Sequence, residues 1–593
     1  MPILLALCLA PLLLFAALGW FTRPYTDDFC HITDFAQRDM WQLILRQRNA
    51  DNNGSYLTLV TAVVLGPFGL AVAQIFPALL LALHFVSTTA LLNSSLALLG
   101  VGRRRWVISV GVSALLVGAV CASVLTRQVY YWYIASMKYS LPLVLLQLYL
   151  LLVLHCVSTA SPPRRRLFAL VGGVWCFFIA GYAETFSIVM LLGLGVIIGL
   201  AWRAGELWRE RCLPILSAGW LATAASAAVM VTAPAIVTRF NSTADRPSVA
   251  QRSLQEYLAQ VADTWFSHLT VPAALAAFTL MLAVGILLGL WLPAMKIRYD
   301  ASVARREQLA LLPALLCQLL LIPLLWSHTS DNAIFLGRFS LGYSIVVAIN
   351  ALLIVGFGGL LFAWRRYGER SWLPAWFLPC TLLVAMLLCS ALTHGRAMHW
   401  RAYDYLWLSF HSLGLVLCWA MAARMGNRQA RVVLAALGGS LLVALLGTAL
   451  VAFATILPKP QDAWRVYTFL AHLNAWLGLA YGLCIGQATR SLFGQKVWFK
   501  LAALLAALWL GGAIIVENLQ LLPQYQAYAR QYDEWDEMIV AGQQAGQRDF
   551  TFTLPEYDLP HELRVWRSLQ HRCRLAYYDI DTPTVLNKHS DRE

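Results

Sequence analysis

Two aspartates stand side by side in Phe21-Thr-Arg-Pro-Tyr-Thr-Asp27-Asp28-Phe29-Cys30-His31, directly after an apolar run. Adjacent carboxylates repel one another and are costly to desolvate, which tends to raise the pKa of one of them. A carboxylate tuned in that way suits general acid or base work. His31, three residues after Asp28, adds a nitrogen that a divalent metal held by the aspartates would accept. The segment Asp34 to Arg48 then spaces Phe35, Met40, Trp41, Ile44 and Leu45 among polar residues, the pattern of an amphipathic helix lying in a membrane interface. An acidic pair at headgroup depth would meet a substrate whose reactive end sits there while its tail stays in the bilayer. The plainer alternative is a solvated turn with a helix cap at Asp34. Glu184 is a second carboxylate of interest, because it falls between two apolar runs with almost no loop to carry it.

The elements that must position these groups follow from composition. The chain has 593 residues, 60% hydrophobic and only 12% charged, with a mean hydropathy of +0.64. Soluble chains carry about 25% charged residues, so this one cannot coat large water-soluble domains, and its apolar content excludes disorder. The expected fold class is an all-α polytopic membrane protein. Fifteen runs are long and apolar enough to span: 3–21, 70–99, 106–126, 140–158, 167–182, 185–202, 214–237, 270–293, 308–326, 339–364, 373–392, 407–423, 432–456, 466–488 and 501–520. The stretch 55–68 is read as an interfacial or re-entrant piece.

Charge orders these spans. Every second gap, from Arg103–Arg105 to Arg490, Lys496 and Lys500, is short and basic; seven such loops hold 22 cations and five acids, a net of +17, and the rest of the chain is −3. The positive-inside rule assigns those loops to the cytoplasm, giving N-in/C-out. The overall charge of +14 is thus a topology signal and does not point to nucleic acid. The start, MPILLALCLAPLLLFAALGW, lacks a basic n-region and a clear cleavage site, and reads as an uncleaved first span.

Two outer segments exceed simple turns, 22–54 and 521–593, dividing the chain into a membrane domain 1–520 and a C-terminal segment. In the tail Tyr525, Tyr528, Tyr532, Trp535 and Ile539 recur at helical spacing after Pro523, followed by strand-like runs at Phe550–Thr553 and Leu575–Ile580. This suggests a small α/β cap, its aromatic stripe packing on the membrane domain or the interface. Of twelve cysteines, only Cys30 and Cys573 fall on the expected oxidising side. They are either a disulfide pinning the tail over the first loop or, as the reading prefers, two independent thiols. No metal spacing of Cys and His appears.

An acidic pair in the first outer loop, immediately after the first span of a many-helix protein, resembles the GT-C glycosyltransferases, integral enzymes that take sugars from polyprenyl-phosphate donors. The DDF form with Gly54-Ser-Tyr56 is most similar to a group of bacterial multi-pass GT-C-like proteins. Tyr130-Tyr-Trp-Tyr133 through Met137-Lys-Tyr139, Gly181-Tyr-Ala-Glu184 and the Tyr/Trp-rich tail extend the likeness over the whole architecture. The WWDYG signature of oligosaccharyltransferase catalytic subunits is absent.

The resemblance implies an inverting transfer of one sugar from an undecaprenyl- or decaprenyl-phosphate donor to an outward-facing glycan, lipid or surface protein such as a pilin, in a bacterial cytoplasmic membrane. It implies Asp27 as base, with Asp28 as partner or replacement, and no cofactor or metal. The leaving lipid phosphate needs cations. Candidates at outer span ends are Lys138 and Arg338, both beside aromatics, then Arg127, Arg239, Arg396 and Arg401; for any one of them interfacial snorkelling is the alternative. Glu184 and His31 are candidates for the acceptor side or for structural pairing. Tyr131 and Trp132 lie in an aromatic cluster that either stacks on sugar rings or anchors a helix. Rival readings are a transporter or flippase for a lipid-linked sugar, an O-antigen ligase or polymerase, and a non-catalytic assembly protein. Transport would predict mid-span charge and repeat symmetry.

Overall fold

The computed structural model describes residues 2–24, 28–29, 41–42, 45, 55–69, 71–102, 104–122, 124–158, 161–203, 206–234, 272–292, 468–493, 497–553, 575, 578 and 582–586. These residues are overwhelmingly helical, and six of their helices are long and apolar enough to cross a membrane. The spans read at 308–326 through 432–456 lie outside them. So do Asp27, Cys30, His31, Arg239, Arg338, Arg396, Arg401 and Cys573.

The helices are α1 (Pro2–Trp20), α2 (Tyr56–Leu65), α3 (Ala71–Leu98), α4 (Arg105–Cys121), α5 (Val124–Tyr131), α6 (Tyr133–Ala135), α7 (Leu141–Ser158), α8 (Pro162–Ala180), α9 (Glu184–Arg203), α10 (Glu206–Val231), α11 (Pro272–Trp291), α12 (Thr468–Phe493) and α13 (Val497–Gln544). α2 is ten residues long and ends in a 3-10 turn, Gly66–Phe68. At 1.5 Å per residue that is about half a hydrocarbon core. The expected third span 106–126 is interrupted: α4 ends at Cys121, and the chain turns into α5 and α6 before a π turn, Ser136–Ser140, enters α7.

Close contacts fix relative directions. α1 and α4 run parallel, with Gly111 facing Leu5 and Cys8, and Gly118 facing Pro11 and Leu12. α13 follows the same direction: Tyr525 meets Tyr131 beside Phe15, and Asp533 meets Arg23 just past the end of α1. α8 and α10 are parallel, with Gly172 against Ile215 and Gly173 against Ala218. α7 opposes α10, since the Tyr149 hydroxyl donates to the Ile215 carbonyl while Arg211 donates to that of Val157. Spans one, three and fifteen of the sequence reading therefore point one way together, as do five and seven. The alternation of basic gaps demands this.

The tightest helix pair is α11 with α12, also parallel. Gly285 faces Gly482 and Gly289 faces Gly486, while Gly478 lies against Phe278; a Cβ placed on Gly482 would collide with the Leu282 carbonyl oxygen. Small residues at every fourth position let two backbones touch where lipid supplies no hydrophobic drive. Gln487 donates from its side-chain amide to the Gly289 carbonyl at 2.8 Å, and Arg490 donates to the Leu292 carbonyl.

α13 corrects one expectation. The spacing predicts a separate helix after Pro523, but one helix of 48 residues runs through that proline. Proline forgoes one backbone bond, to Leu519. The buried stripe beyond it, Tyr525, Tyr528, Tyr532, Trp535 and Ile539, joins the same core as Phe15, Leu18 and Tyr131 and holds the two parts in line. A division at 520 falls inside this helix. The strand expected at 550–553 lies in β1 (Asp549–Thr553), which pairs in parallel with β2 (Thr582–Leu586). Of the strand expected at Leu575–Ile580 only Leu575 and Tyr578 are described: Leu575 is helical and packs on the core, and Tyr578 is in a turn.

Candidate functional site

Asp28 is 1% exposed, and its Oδ1 accepts the backbone N–H of Ile134 at 3.1 Å across 106 residues of sequence. The local chain explains why that amide is offered. Trp132 is extended (φ −87°, ψ 114°) and gives no side-chain cap to the helical turn that starts at Tyr133. The first amides of a helix have no internal partner, and their dipoles favour an anion. Asp28, 106 residues earlier in the chain, takes the position a cap would fill.

Around this carboxylate the aromatic cluster divides by role. Tyr131 stacks on Phe15 with ring centres 4.6 Å apart, donates to the Phe15 carbonyl at 2.6 Å and meets Tyr525 edge-on. It sits so close to α1 that a Cβ on Gly19 would lie 3.0 Å from its ring. Trp132 lies beside it, and both residues are buried. Tyr133 packs edge-on against Phe76, within electrostatic range of Asp28, and its buried hydroxyl has no hydrogen-bond partner among the described residues. Tyr130 shares a hydrogen bond with His84 Nδ1, and the His472 ring centre lies 5.0 Å from that of His84.

The other short motifs converge on the same end of the bundle. α2 packs against the π turn. The residues after Gly54 lock onto the turn between α8 and α9: Leu57 N–H donates to the Gly181 carbonyl at 3.2 Å, and Thr58 Oγ1 donates to that of Tyr182 at 3.1 Å. The Thr61 and Tyr182 hydroxyls lie 2.7 Å apart, and the Tyr56 and Ser226 hydroxyls 2.9 Å apart. Burial pushes the phenols of Tyr56 and Tyr182 up, with those hydrogen bonds opposing part of the shift. Gly181 is required there, because a Cβ would come within 2.7 Å of the Tyr56 ring. Glu184 opens α9 half-buried, a carboxylate at a helix N-terminus.

Of the proposed phosphate ligands, two are described. Arg127 is buried, with its guanidinium 3.5 Å from Glu517 on α13. Lys138 lies half-buried in the π turn, its ammonium 5.8 Å from the centre of the Tyr139 ring, and makes no ion pair among the described residues. Among the described residues no cluster of three or more His, Cys, Asp or Glu side chains gathers as a metal site.

Sequence reasoning missed three features. Arg23 reaches Asp533 with two 2.6 Å bonds, and that partner pushes its pKa up. His84 and His472 lie inside spans, a placement that itself marks a residue for attention. The Gly-x-x-x-Gly spacing of α11 and α12 was legible in the sequence as a packing signal.

Comparison of the chain with protein-family models, with curated proteins and with solved structures gives no match.

Proposed function

We propose that this protein is a membrane glycosyltransferase that moves a sugar from a polyprenyl-phosphate donor to an acceptor hydroxyl at the outer face of a bacterial cytoplasmic membrane. The observation that carries the reading is the meeting of separate short motifs at one end of the bundle: Asp28 on the Tyr130–Tyr139 segment, and Tyr56 with its neighbours on Gly181–Glu184. Asp28, the Tyr130–Tyr139 segment, Tyr56 and Gly181–Glu184, the described residues of the motifs that carry the resemblance, gather at that end.

The two aspartates take different parts. Asp28 is held by the backbone amide of Ile134, which limits its freedom to move. It is the positioning group, and Asp27 is the base. Asp27 takes the proton of the acceptor hydroxyl while that oxygen attacks the anomeric carbon from the face opposite the donor phosphate. The bond from carbon to phosphate oxygen breaks, and the lipid phosphate leaves with the electron pair, so configuration inverts. Lys138 is the better described cation for that phosphate, since Arg127 is already paired with Glu517. Arg338, Arg239, Arg396 and Arg401 complete the candidate set. No metal enters this scheme, and Glu184 is assigned to the acceptor side.

Sugar transfer is measured in membranes carrying the wild type, Asp27→Asn, Asp28→Asn or both, with surface glycans read by mass spectrometry. Asp27→Asn is expected to lower transfer by at least about a hundredfold, the scale of a lost general base. Full transfer by the double variant with an intact fold would sink the proposal. A transporter of lipid-linked sugars is the second reading, and its particular support is the buried His84–Tyr130–His472 group, whose two histidines lie inside spans. Under that reading His84→Phe abolishes flux while the aspartate variants retain it.

A further inference from the structure

The loop that carries Asp28 is fastened on both sides to one distant helix. Before it, Arg23 donates from two guanidinium nitrogens to both carboxylate oxygens of Asp533 on α13, each at 2.6 Å. The remaining nitrogen donates to the Thr22 carbonyl at 2.9 Å and the Trp20 carbonyl at 3.4 Å. Arg23 is therefore planted on the C-terminal end of α1, where a cation is favoured, while it grips α13. After it, Phe29 is fully buried with its ring 5.9 Å from that of Tyr578, and the Tyr578 hydroxyl donates to Asp536, one turn along α13 from Asp533.

Exposed ion pairs usually contribute little. This one differs in two respects. Its geometry is bidentate, the exception to that rule, and Arg23 is only 12% exposed although Asp533 is 52% exposed. It also links residues 510 apart, so it joins elements and not neighbours on one helix. Asp28 itself touches Ile134, at the start of the helical run into α7. Its carboxylate is thus placed by three supports: the end of α1, the distal part of α13 and the amide of Ile134.

We propose that the distal part of α13 is a positioning element of the acidic-loop site, with Arg23–Asp533 and Phe29–Tyr578–Asp536 as the two fastenings that hold Asp28 on Ile134. None of these five residues enters the chemistry proposed above; they act through where Asp28 sits.

Full-length protein in nanodiscs is compared as wild type, Arg23→Asp, Asp533→Arg, the double exchange, and Tyr578→Phe as a gentler variant. The first readout is hydrogen exchange of the peptide containing Ile134, which needs no activity. Each single charge reversal places like charges together and is expected to speed that exchange about tenfold, and Tyr578→Phe is expected to speed it less. The double exchange restores the rate in part, since Arg23→Asp also loses the donors to the Thr22 and Trp20 carbonyls. The second readout, sugar transfer, rests on the glycosyltransferase reading: kcat is expected to fall at least about tenfold in the single variants, with KM for the donor held, and to recover in part in the double exchange. Unchanged exchange at Ile134 in both single variants would overturn the proposal, and so would a double exchange that melts like the wild type yet leaves Ile134 as fast as in the single variants. If wild-type membranes transfer no sugar, the glycosyltransferase reading falls and the exchange readout alone decides the fastening.

Discussion

Tyr131 and Tyr133 are two residues apart, equally aromatic and both buried, yet their hydroxyls stand in opposite situations. Tyr131 donates to the Phe15 carbonyl, whereas Tyr133 has no hydrogen-bond partner among the described residues. Losing a buried hydrogen bond costs about 1 kcal/mol, while removing a hydroxyl that has none is neutral or stabilising by up to about 1 kcal/mol. Thermal unfolding in detergent is therefore expected to show Tyr131→Phe clearly less stable than wild type and Tyr133→Phe equal or more stable. Equal destabilisation by the two variants would contradict this assignment. The same pair illustrates what a sequence can tell at this scale. Residue type and spacing singled out the Tyr130–Tyr133 cluster and Asp28, because aromatics and paired carboxylates beside a span are unusual in themselves. Nothing in the letters distinguishes the packing tyrosine from the unsatisfied one. Nor do they reveal that Asp28 would meet the amide of Ile134, since a backbone N–H carries no signature and its availability depends on one extended residue, Trp132.

At the scale of elements, most helices were legible because a membrane demands length and apolar content together, and those are properties of a run. α1, α3, α7, α8, α9 and α12 lie close to the ranges that hydropathy gives. The departures share a cause: contacts from elsewhere overrode a local rule. The break after Cys121 lets Arg127 reach Glu517, and the passage of α13 through Pro523 is sustained by its aromatic stripe against α1. Glycine provides the sharpest test of packing at this level. On α12, Gly482 lies against the α11 backbone, so Gly482→Ala must force the pair apart; overpacking of this kind costs about 1–3 kcal/mol. On α13, a Cβ on Gly511 meets nothing within 4 Å, and Gly511→Ala gains helix propensity of up to about 1 kcal/mol. The melting temperature is expected to fall for the first and to hold or rise for the second. A stable Gly482→Ala would mean that the two helices are not in backbone contact.

For the whole molecule the deciding question is which end faces out, and the contacts and the charges answer different halves of it. Contacts place Asp533, Arg23, Asp28, Tyr56 and Gly181 at one end of the bundle. Arg164–Arg166, in the first turns of α8, lie at the other end, because α8 runs about 20 Å from them to Gly181. Those contacts say nothing of the membrane's polarity. The positive-inside rule sets the expectation, since 22 cations gather in the seven short gaps that the sequence predicts, Arg164–Arg166 among them. Joining the two gives a concrete expectation. With the native cysteines replaced, a single cysteine at Glu537, exposed on α13, should react with a membrane-impermeant maleimide in intact cells. One at Arg166, exposed at the start of α8, should react only after the membrane is opened. The reverse pattern would turn the acidic loop towards the cytoplasm and remove it from any outward-facing acceptor. Labelling of both sites in intact cells would break the link between helix direction and charge. The labelling pattern thus decides whether one end of the bundle, with Asp28 held between α1, Ile134 and α13, has access to the substrates that the proposed chemistry requires.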